Sequence, residues 1–145
     1  MNKEEQEILD KKDIIASRNY CINNKTKNIK DHEDMVIKYG TDEEILYFAI
    51  YVQNANINKI ENEIIKRGDP KQIYAIAYYS DYYITKVNMN KLHDAIIRTD
   101  SKEYIFKFAK NVHWANLGLF KNIFENTKYQ KDFEKIVLEK KINKK

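Results

Sequence analysis

The side chains of this sequence that could support chemistry are three histidines and one cysteine. His32, His93 and His113 include no pair four residues apart, the spacing that places two imidazoles on one helical face for a metal ion. Cys21 is the sole cysteine, which excludes an intrachain disulfide and a cysteine zinc cluster. No glycine-rich phosphate loop and no nucleophile motif is present. We therefore expect no enzymatic activity, no catalytic residue, no metal and no cofactor; a catalytic site assembled from separated positions is the alternative.

Three basic residues, Lys38, Lys66 and Arg98, recur near the ends of successive predicted helices. One interpretation is a ladder of cations that contacts the phosphates of a nucleic acid. The other is that each cation interacts with the negative end of its own helix dipole. Aligned neighbours should neutralise part of such a stripe, namely Glu33, Glu61 and Glu63. The dipole interpretation is favoured, and nucleic-acid contact is the alternative.

Four asparagines also occupy equivalent positions, each just before a predicted helix: Asn28, Asn56, Asn88 and Asn116. They would form an amide ladder if the protein bound the backbone of an extended peptide. As N-caps, their side chains would instead accept a backbone N–H of the following helix, which stabilises it by about 1 kcal/mol. The sequence favours capping.

Five of the eleven tyrosines lie within ten residues: Tyr74, Tyr78, Tyr79, Tyr82 and Tyr83. On a helix that continues through this segment with its aliphatic residues inward, Tyr83 lies at the edge of the core, Tyr74 on its flank and Tyr79 between. Tyr78 and Tyr82 then point to solvent. Exposed tyrosines are typical of protein-binding hot spots, because each buries a large area with few rotatable bonds. The alternative is that the rings fold back over the core as packing.

A repeated pattern of apolar residues indicates which elements carry these side chains. The segments 41–68 and 101–128 align at an offset of 60 residues, and the segment between them aligns at 28 with four extra residues after Tyr79. The coinciding positions include Ile45 with Ile105, Phe48 with Phe108, Ala49 with Ala109 and Val52 with Val112. The sequence predicts a single domain, 1–145, with approximate units 13–40, 41–68, 69–100 and 101–128 and half units 1–12 and 129–145.

Each unit has the pattern of two helices. Apolar residues recur at i, i+3, i+4 and i+7, and glycine and proline are too scarce for the turns of a β fold. A pair of short helices cannot bury its own apolar face, whereas stacked pairs can. We therefore predict an all-α, right-handed α-solenoid of stacked helical hairpins with about nine helices.

Small residues at helix contacts, and glycine and proline at helix ends, fit this prediction. One position in the first helix of each unit stays small, which lets neighbouring first helices approach closely: Cys21, Ala49, Ala77 and Ala109. Gly40 and Gly68 are placed to end helices in the left-handed conformation. Pro70 falls in the first turn of the next helix, where its missing N–H costs little.

The segment DSKEYIFKFAKNVHWANL, Asp100–Leu117, adds a more specific likeness. It is similar to 28-residue repeats of the form GDxEYIYxFAKNVxxANIxKLExAIIKT, found in uncharacterised proteins of low-GC bacteria and their phages. More broadly, the chain resembles the α-helical repeats of the HEAT and armadillo class. The resemblance implies an architecture and no particular activity.

Composition narrows the expected function. The net charge of +4 permits contact with nucleic acid without requiring it. The apolar runs are far shorter than the roughly 20 residues that span a membrane, and no signal-peptide core is present, so we expect a cytoplasmic protein. Abundant Lys, Asn, Ile and Tyr are typical of an AT-rich genome.

We expect a non-enzymatic helical-repeat protein whose tyrosines bind a protein partner, a host or phage effector complex. The specialised hypothesis is a phage or mobile-element inhibitor of a bacterial defence complex such as CRISPR-Cas, that is, an anti-CRISPR. Nucleic-acid binding through the basic ladder is the alternative, and a homodimer formed through the tyrosines is the third hypothesis.

Overall fold

The computed structural model describes residues 1–84 and 86–143. Thr85, in the predicted third unit, and Lys144 and Lys145, in the predicted C-terminal half unit, lie outside the described residues. Within the described part the chain is all-α, as predicted, with ten α-helices, one more than expected, and no strand. The helices are α1 (Lys3–Asp10), α2 (Ile14–Asn23), α3 (Ile29–Tyr39), α4 (Asp42–Tyr51), α5 (Ile57–Arg67), α6 (Pro70–Tyr79), α7 (Met89–Arg98), α8 (Lys102–Asn111), α9 (Lys121–Phe124) and α10 (Gln130–Asn143), with a 3₁₀ turn at Leu117–Leu119.

Local signals account for where helices begin and end. Thr41 and Glu44 form a reciprocal capping box at the start of α4, and Pro70 occupies the first turn of α6. Gly68 ends α5 with φ = 76°, the left-handed conformation predicted for it. The same prediction is wrong for Gly40, whose φ is −82°. Gly40 is required for space instead, because an added Cβ would lie 2.5 Å from the Val36 carbonyl oxygen.

The helices pack in a regular order. Among the described residues, α2, α4, α6, α8 and α10 each contact the next in this series. The helices α3, α5 and α7 each contact the two members of the series that flank them in the chain. Ala77 and Ala109 are completely buried, as predicted for the small position of the first helices.

The connection between α6 and α7 contains the four-residue insertion. Nine residues connect these helices, whereas five connect α2 to α3 and α4 to α5. Helix α6 ends at Tyr79, and the chain then turns around the Tyr79 carbonyl oxygen, which accepts the N–H groups of Tyr82, Tyr83 and Ile84 at 3.1, 2.8 and 3.1 Å. Ile84 returns to the core, where it is fully buried. The insertion therefore places Tyr82 and Tyr83 on an exposed turn between the end of α6 and the buried Ile84.

The fourth unit departs from the two-helix pattern. Its second half is the 3₁₀ turn followed by the four-residue helix α9, in place of the one helix predicted. Gly118 disfavours a helix here. Its N–H donates a hydrogen bond to Asn116 Oδ1 at 3.2 Å, which forms a tight turn. Phe120 and Phe124 still reach the core and are fully buried.

Candidate protein-binding surface

The five tyrosine rings predicted from the sequence are in contact with one another, and we call them the tyrosine cluster: Tyr74, Tyr78, Tyr79, Tyr82 and Tyr83. A sixth ring, Tyr104 on α8, joins them through Tyr74 at a centroid distance of 6.3 Å. The ring of Tyr78 contacts three others, with centroid distances of 5.9 Å to Tyr74, 5.5 Å to Tyr79 and 6.2 Å to Tyr82. Tyr83 lies 6.2 Å from Tyr79 and 6.4 Å from Tyr82. The rings are tilted against one another, which is a favourable geometry for aromatic pairs.

The tyrosine cluster is most exposed after the end of α6. Tyr74 and Tyr79 are half-buried, Tyr78 is 37% exposed and Tyr82 is 71% exposed. Tyr78 and Tyr82 thus face solvent, as predicted. The expectation that Tyr83 lies at the core edge is wrong, because this residue is 62% exposed. Helix α6 ends before Tyr83, and Ile84 takes the inward position.

Hydrogen bonds from the next connection hold the base of the tyrosine cluster. The Trp114 indole donates to Ser80 Oγ at 2.8 Å, and the His113 backbone N–H donates to Asp81 Oδ2 at 3.2 Å. On α8, Asn111 Nδ2 donates to the Tyr74 hydroxyl at 3.0 Å. Burial raises the pKa of that hydroxyl, so it remains protonated at neutral pH. These hydrogen bonds therefore hold the residues that carry the tyrosine cluster in a fixed position.

A groove between α4 and α6 runs beside the tyrosine cluster. It has a volume of about 200 Å³, and its lining includes Tyr47, Ile50, Ala75 and Tyr79. Tyr47 pairs with Tyr51 at 6.3 Å, and both rings are exposed. Sequence reasoning missed these two tyrosines, although Tyr51 precedes Tyr79 by the repeat offset of 28 residues.

The three predicted basic residues are exposed in the last turns of three helices. Lys38 lies on α3, Lys66 on α5 and Arg98 on α7. The acidic neighbours expected to neutralise part of this ladder differ in burial: Glu33 and Glu61 are buried, with exposures of 3% and 1%, and Glu63 is half-buried and pairs with Arg67 at 3.1 Å. Partial neutralisation of the ladder by these carboxylates therefore stays a prediction.

The asparagine positions are N-caps in three units of four. The side chains of Asn56, Asn88 and Asn116 accept the N–H of Lys59, Lys91 and Gly118 at 3.1, 3.1 and 3.2 Å. Capping is therefore confirmed there. It is wrong for Asn28, which makes no such bond; its Nδ2 donates to Glu5 Oε2 at 3.3 Å.

Buried acceptors connect successive units, a feature that sequence reasoning missed. We call Glu33, Glu61 and His93 the acceptor series. Glu33 and Glu61 each accept the backbone N–H of the next unit's capping asparagine, from Asn56 and Asn88, both at 2.6 Å. His93 Nε2 accepts the corresponding N–H of Asn116 at 2.9 Å. The alignment of His93 with Glu61 was the available signal.

Burial governs the protonation of the acceptor series. It raises the pKa of the carboxyls of Glu33 and Glu61, although the N–H groups they accept oppose this. Burial also lowers the pKa of His93. A neutral imidazole suits the geometry, because Nε2 accepts a hydrogen bond while Nδ1 can donate to the Met89 carbonyl oxygen at 2.7 Å.

A second buried polar network joins α1 to α2 and α3. Ser17 Oγ lies 2.6 Å from His32 Nδ1, and His32 Nε2 lies 2.8 Å from Glu5 Oε1. These are the groups of a nucleophile, a base and an acid, but Ser17 and His32 have no exposed surface, so the network anchors α1. Burial would raise the pKa of Glu5, but hydrogen bonds from Thr26, His32 and Asn28 outweigh it and lower that pKa.

The single thiol is unsuited to reaction. Cys21 is buried, and this burial, together with the charges of Glu5 and Glu33, raises its pKa to about 12. In the part of the chain that the structure describes, no group of three or more His, Cys, Asp or Glu side chains is arranged to hold a metal ion. No helix there has the length and apolar character needed to cross a membrane.

Comparison of the chain with protein-family models, with curated proteins and with solved structures gives no match. Its function therefore has to be inferred from its own residues.

Proposed function

We propose that this chain is a non-enzymatic, protein-binding α-solenoid. The order of helix contacts supports the architecture, because the main contacts within the described residues join helices no more than two apart in the chain. Such nearest-neighbour packing is the organisation of repeat proteins, which bind partners along extended surfaces. The HEAT-like or armadillo-like form and its right-handed sense belong to this proposal.

The exposure of the tyrosine cluster carries the functional part of the proposal. Tyr82 and Tyr83 expose 71% and 62% of their surface at the tip of the α6–α7 connection, although the core is filled by Ile84 beneath them. Tyrosine is enriched in binding hot spots, and a fixed base reduces the entropy lost on binding. The partner would be a protein, and the residues that contact it would be those of the tyrosine cluster.

Crosslinking tests this proposal. A photo-crosslinking amino acid at position 82 should capture a specific protein from a lysate of the source cell, and the same group at position 122, on α9, should not. Replacing Tyr78 or Tyr82 with Ala should then weaken binding to that purified protein by about 2 kcal/mol or more. The melting temperature should hardly change, because exposed side chains contribute little to stability.

Tyr39→Ala is the matched control, since Tyr39 lies on α3, outside the cluster, with 47% of its surface exposed. It should bind as the parent does. If the Tyr78 and Tyr82 variants lose melting temperature and their binding falls only with the folded fraction, the cluster is packing and the proposal is wrong.

The narrower form of the proposal is a phage or mobile-element inhibitor of a bacterial defence complex such as CRISPR-Cas. Its support is the resemblance of Asp100–Leu117 to repeats from phages, together with the AT-rich composition. Expression of the chain in bacteria that carry such a system should restore phage plaques, and Tyr82→Ala should abolish this effect. Unchanged plaque counts across the tested systems would remove this narrower form alone.

Nucleic-acid binding is the alternative, and the exposure of Lys38, Lys66 and Arg98 favours testing it. We expect weak, sequence-independent binding that disappears near physiological salt. Tight binding at that salt concentration, lost in the triple alanine variant, would make nucleic acid the preferred partner. A third hypothesis, a homodimer through the tyrosine cluster, predicts a mass by light scattering that falls to the monomer value in Tyr82→Ala.

A further inference from the structure

The tyrosine cluster combines exposed aromatic rings with few charged residues in its own segment of the chain. Asp81 is the sole charged residue between Tyr74 and Ile84. Among the described residues, Tyr74 is the one member of the cluster whose hydroxyl has a hydrogen-bond partner. The surface therefore offers ring faces and unpartnered hydroxyl donors, and its cations lie at its borders: Lys107 acts on the Tyr74 hydroxyl, and Lys71 lines the adjoining groove.

The orientation of the rings narrows the choice of ligand. Neighbouring rings are tilted by 33° for Tyr74 and Tyr78, 72° for Tyr78 and Tyr79, and 54° for Tyr78 and Tyr82. Rings tilted against one another present inclined faces and edges, whereas nucleobases stack on flat, open ring faces. A small, rigid, non-aromatic ring can pack against such inclined faces from outside, and proline supplies one.

We propose that the tyrosine cluster binds a proline-rich segment in the polyproline II conformation; this inference rests on the proposed protein-binding function. Such a segment has no internal hydrogen bonds, so its carbonyl groups are free to accept from tyrosine hydroxyls. It is also ordered before binding, which limits the entropy lost. Aromatic-lined grooves bind proline-rich segments for these reasons.

The dimensions of the surface suit this ligand. Successive ring centres in the row Tyr74, Tyr78, Tyr82 are 5.9 and 6.2 Å apart. Polyproline II advances about 3.1 Å per residue, so about four residues cover the row. The groove lined by Tyr47, Ile50 and Tyr79 lies beside it and provides apolar surface for the residues that follow, and its lining also contains Glu43, Lys71 and Gln72.

Titration with a fluorescein-labelled deca-proline peptide tests the inference on the full chain. We expect saturable binding, with no binding of a glycine–serine peptide of the same length. The double variant Tyr78→Ala with Tyr82→Ala should bind at least tenfold more weakly, and the double phenylalanine variant should lie between it and the parent. Tyr39→Ala should match the parent.

Two outcomes would overturn the inference. One is no binding of deca-proline at millimolar concentration; the other is tighter binding of single-stranded oligothymidine than of deca-proline. If deca-proline fails while the crosslinker at position 82 still captures a protein, the protein-binding function stands and the proline chemistry falls. If neither binds, both fall.

Discussion

At the scale of the residue, one task in this fold is performed by two kinds of side chain. Glu61 in one unit and His93 in the next both accept the N–H of a following asparagine from a buried position. Both groups offer an acceptor, but they respond to pH in opposite directions, since burial raises the pKa of Glu61 and lowers that of His93. Acceptor geometry, and not charge, is the property that the position requires.

The lowered pKa of His93 predicts a pH-dependent stability. Above its ordinary pKa of 6.5 the imidazole is neutral in both states, and its full contribution is present. As the pH falls below 6.5, the unfolded chain binds the proton first, so the folded state loses stability. His93→Gln keeps an acceptor for Asn116 without titrating. The free energy of unfolding of the parent should fall relative to this variant between pH 7.5 and pH 5.

Denaturant titrations at each pH measure that difference, in which the contributions of Glu33 and Glu61 cancel. His93→Leu is the contrasting variant, because it leaves the Asn116 N–H without its acceptor and should cost about 1–3 kcal/mol at pH 7.5. Since leucine does not titrate, this cost should become smaller as the pH falls and the parent loses stability. A constant difference between the parent and His93→Gln across this pH range would contradict the prediction.

At the scale of the element, we expect the packing of α6 and α8 to depend on alanine. Ala77 on α6 and Ala109 on α8 have no exposed surface. Replacing either with Leu should overpack this contact and lower the free energy of unfolding by about 1–3 kcal/mol. Thermal and denaturant melts measure the effect. Ala75→Leu is the control on α6, because Ala75 is only partly buried, and a loss as large in this variant would contradict the prediction.

Features determined by neighbouring residues in the sequence, such as helices and their caps, were predictable. Features determined by contacts between distant residues were not. The apolar period predicted the helices, and Asn56 and Asn88 predicted caps that the structure confirms. The end of α6 was not predictable, because the helical pattern continues to Tyr83, whereas the helix ends at Tyr79 and the chain turns so that Ile84 enters the core. The burial of Glu61 was also missed, since its partner lies 27 residues away at Asn88.

At the scale of the whole molecule, a network of polar groups attaches helix α1 to the rest of the chain, in addition to the Asn2–Tyr20 hydrogen bond and the packing of Leu9. Glu5 connects it to His32, Thr26 and Asn28, and its carboxylate has a lowered pKa. This carboxylate therefore stabilises the fold above its ordinary pKa of 4.5, and the contribution is lost as the pH falls through the lowered value.

Glu5→Leu removes the acceptor and leaves the imidazole of His32 without a partner at Nε2. If units interact mainly with their neighbours, this variant should open the chain locally. Amide hydrogen exchange should accelerate in α1 and at the start of α3 while α6 to α8 keep the exchange rates of the parent. Uniform acceleration throughout the chain would indicate one cooperative unit and contradict the prediction.

The position of Trp114 makes it an intrinsic fluorescence probe of this part of the molecule. It is the single tryptophan among eleven tyrosines, and its half-buried indole lies 5.3 Å from the His93 ring and 5.6 Å from the Phe108 ring. Its hydrogen bond to Ser80 connects it to the segment that carries Tyr82. The emission maximum of the indole should therefore shift when the contacts around Trp114 break. It should also shift when a ligand binds at the tyrosine cluster, without an attached dye. Energy transfer from the excited tyrosines to the indole, measured as indole emission, would report the same changes.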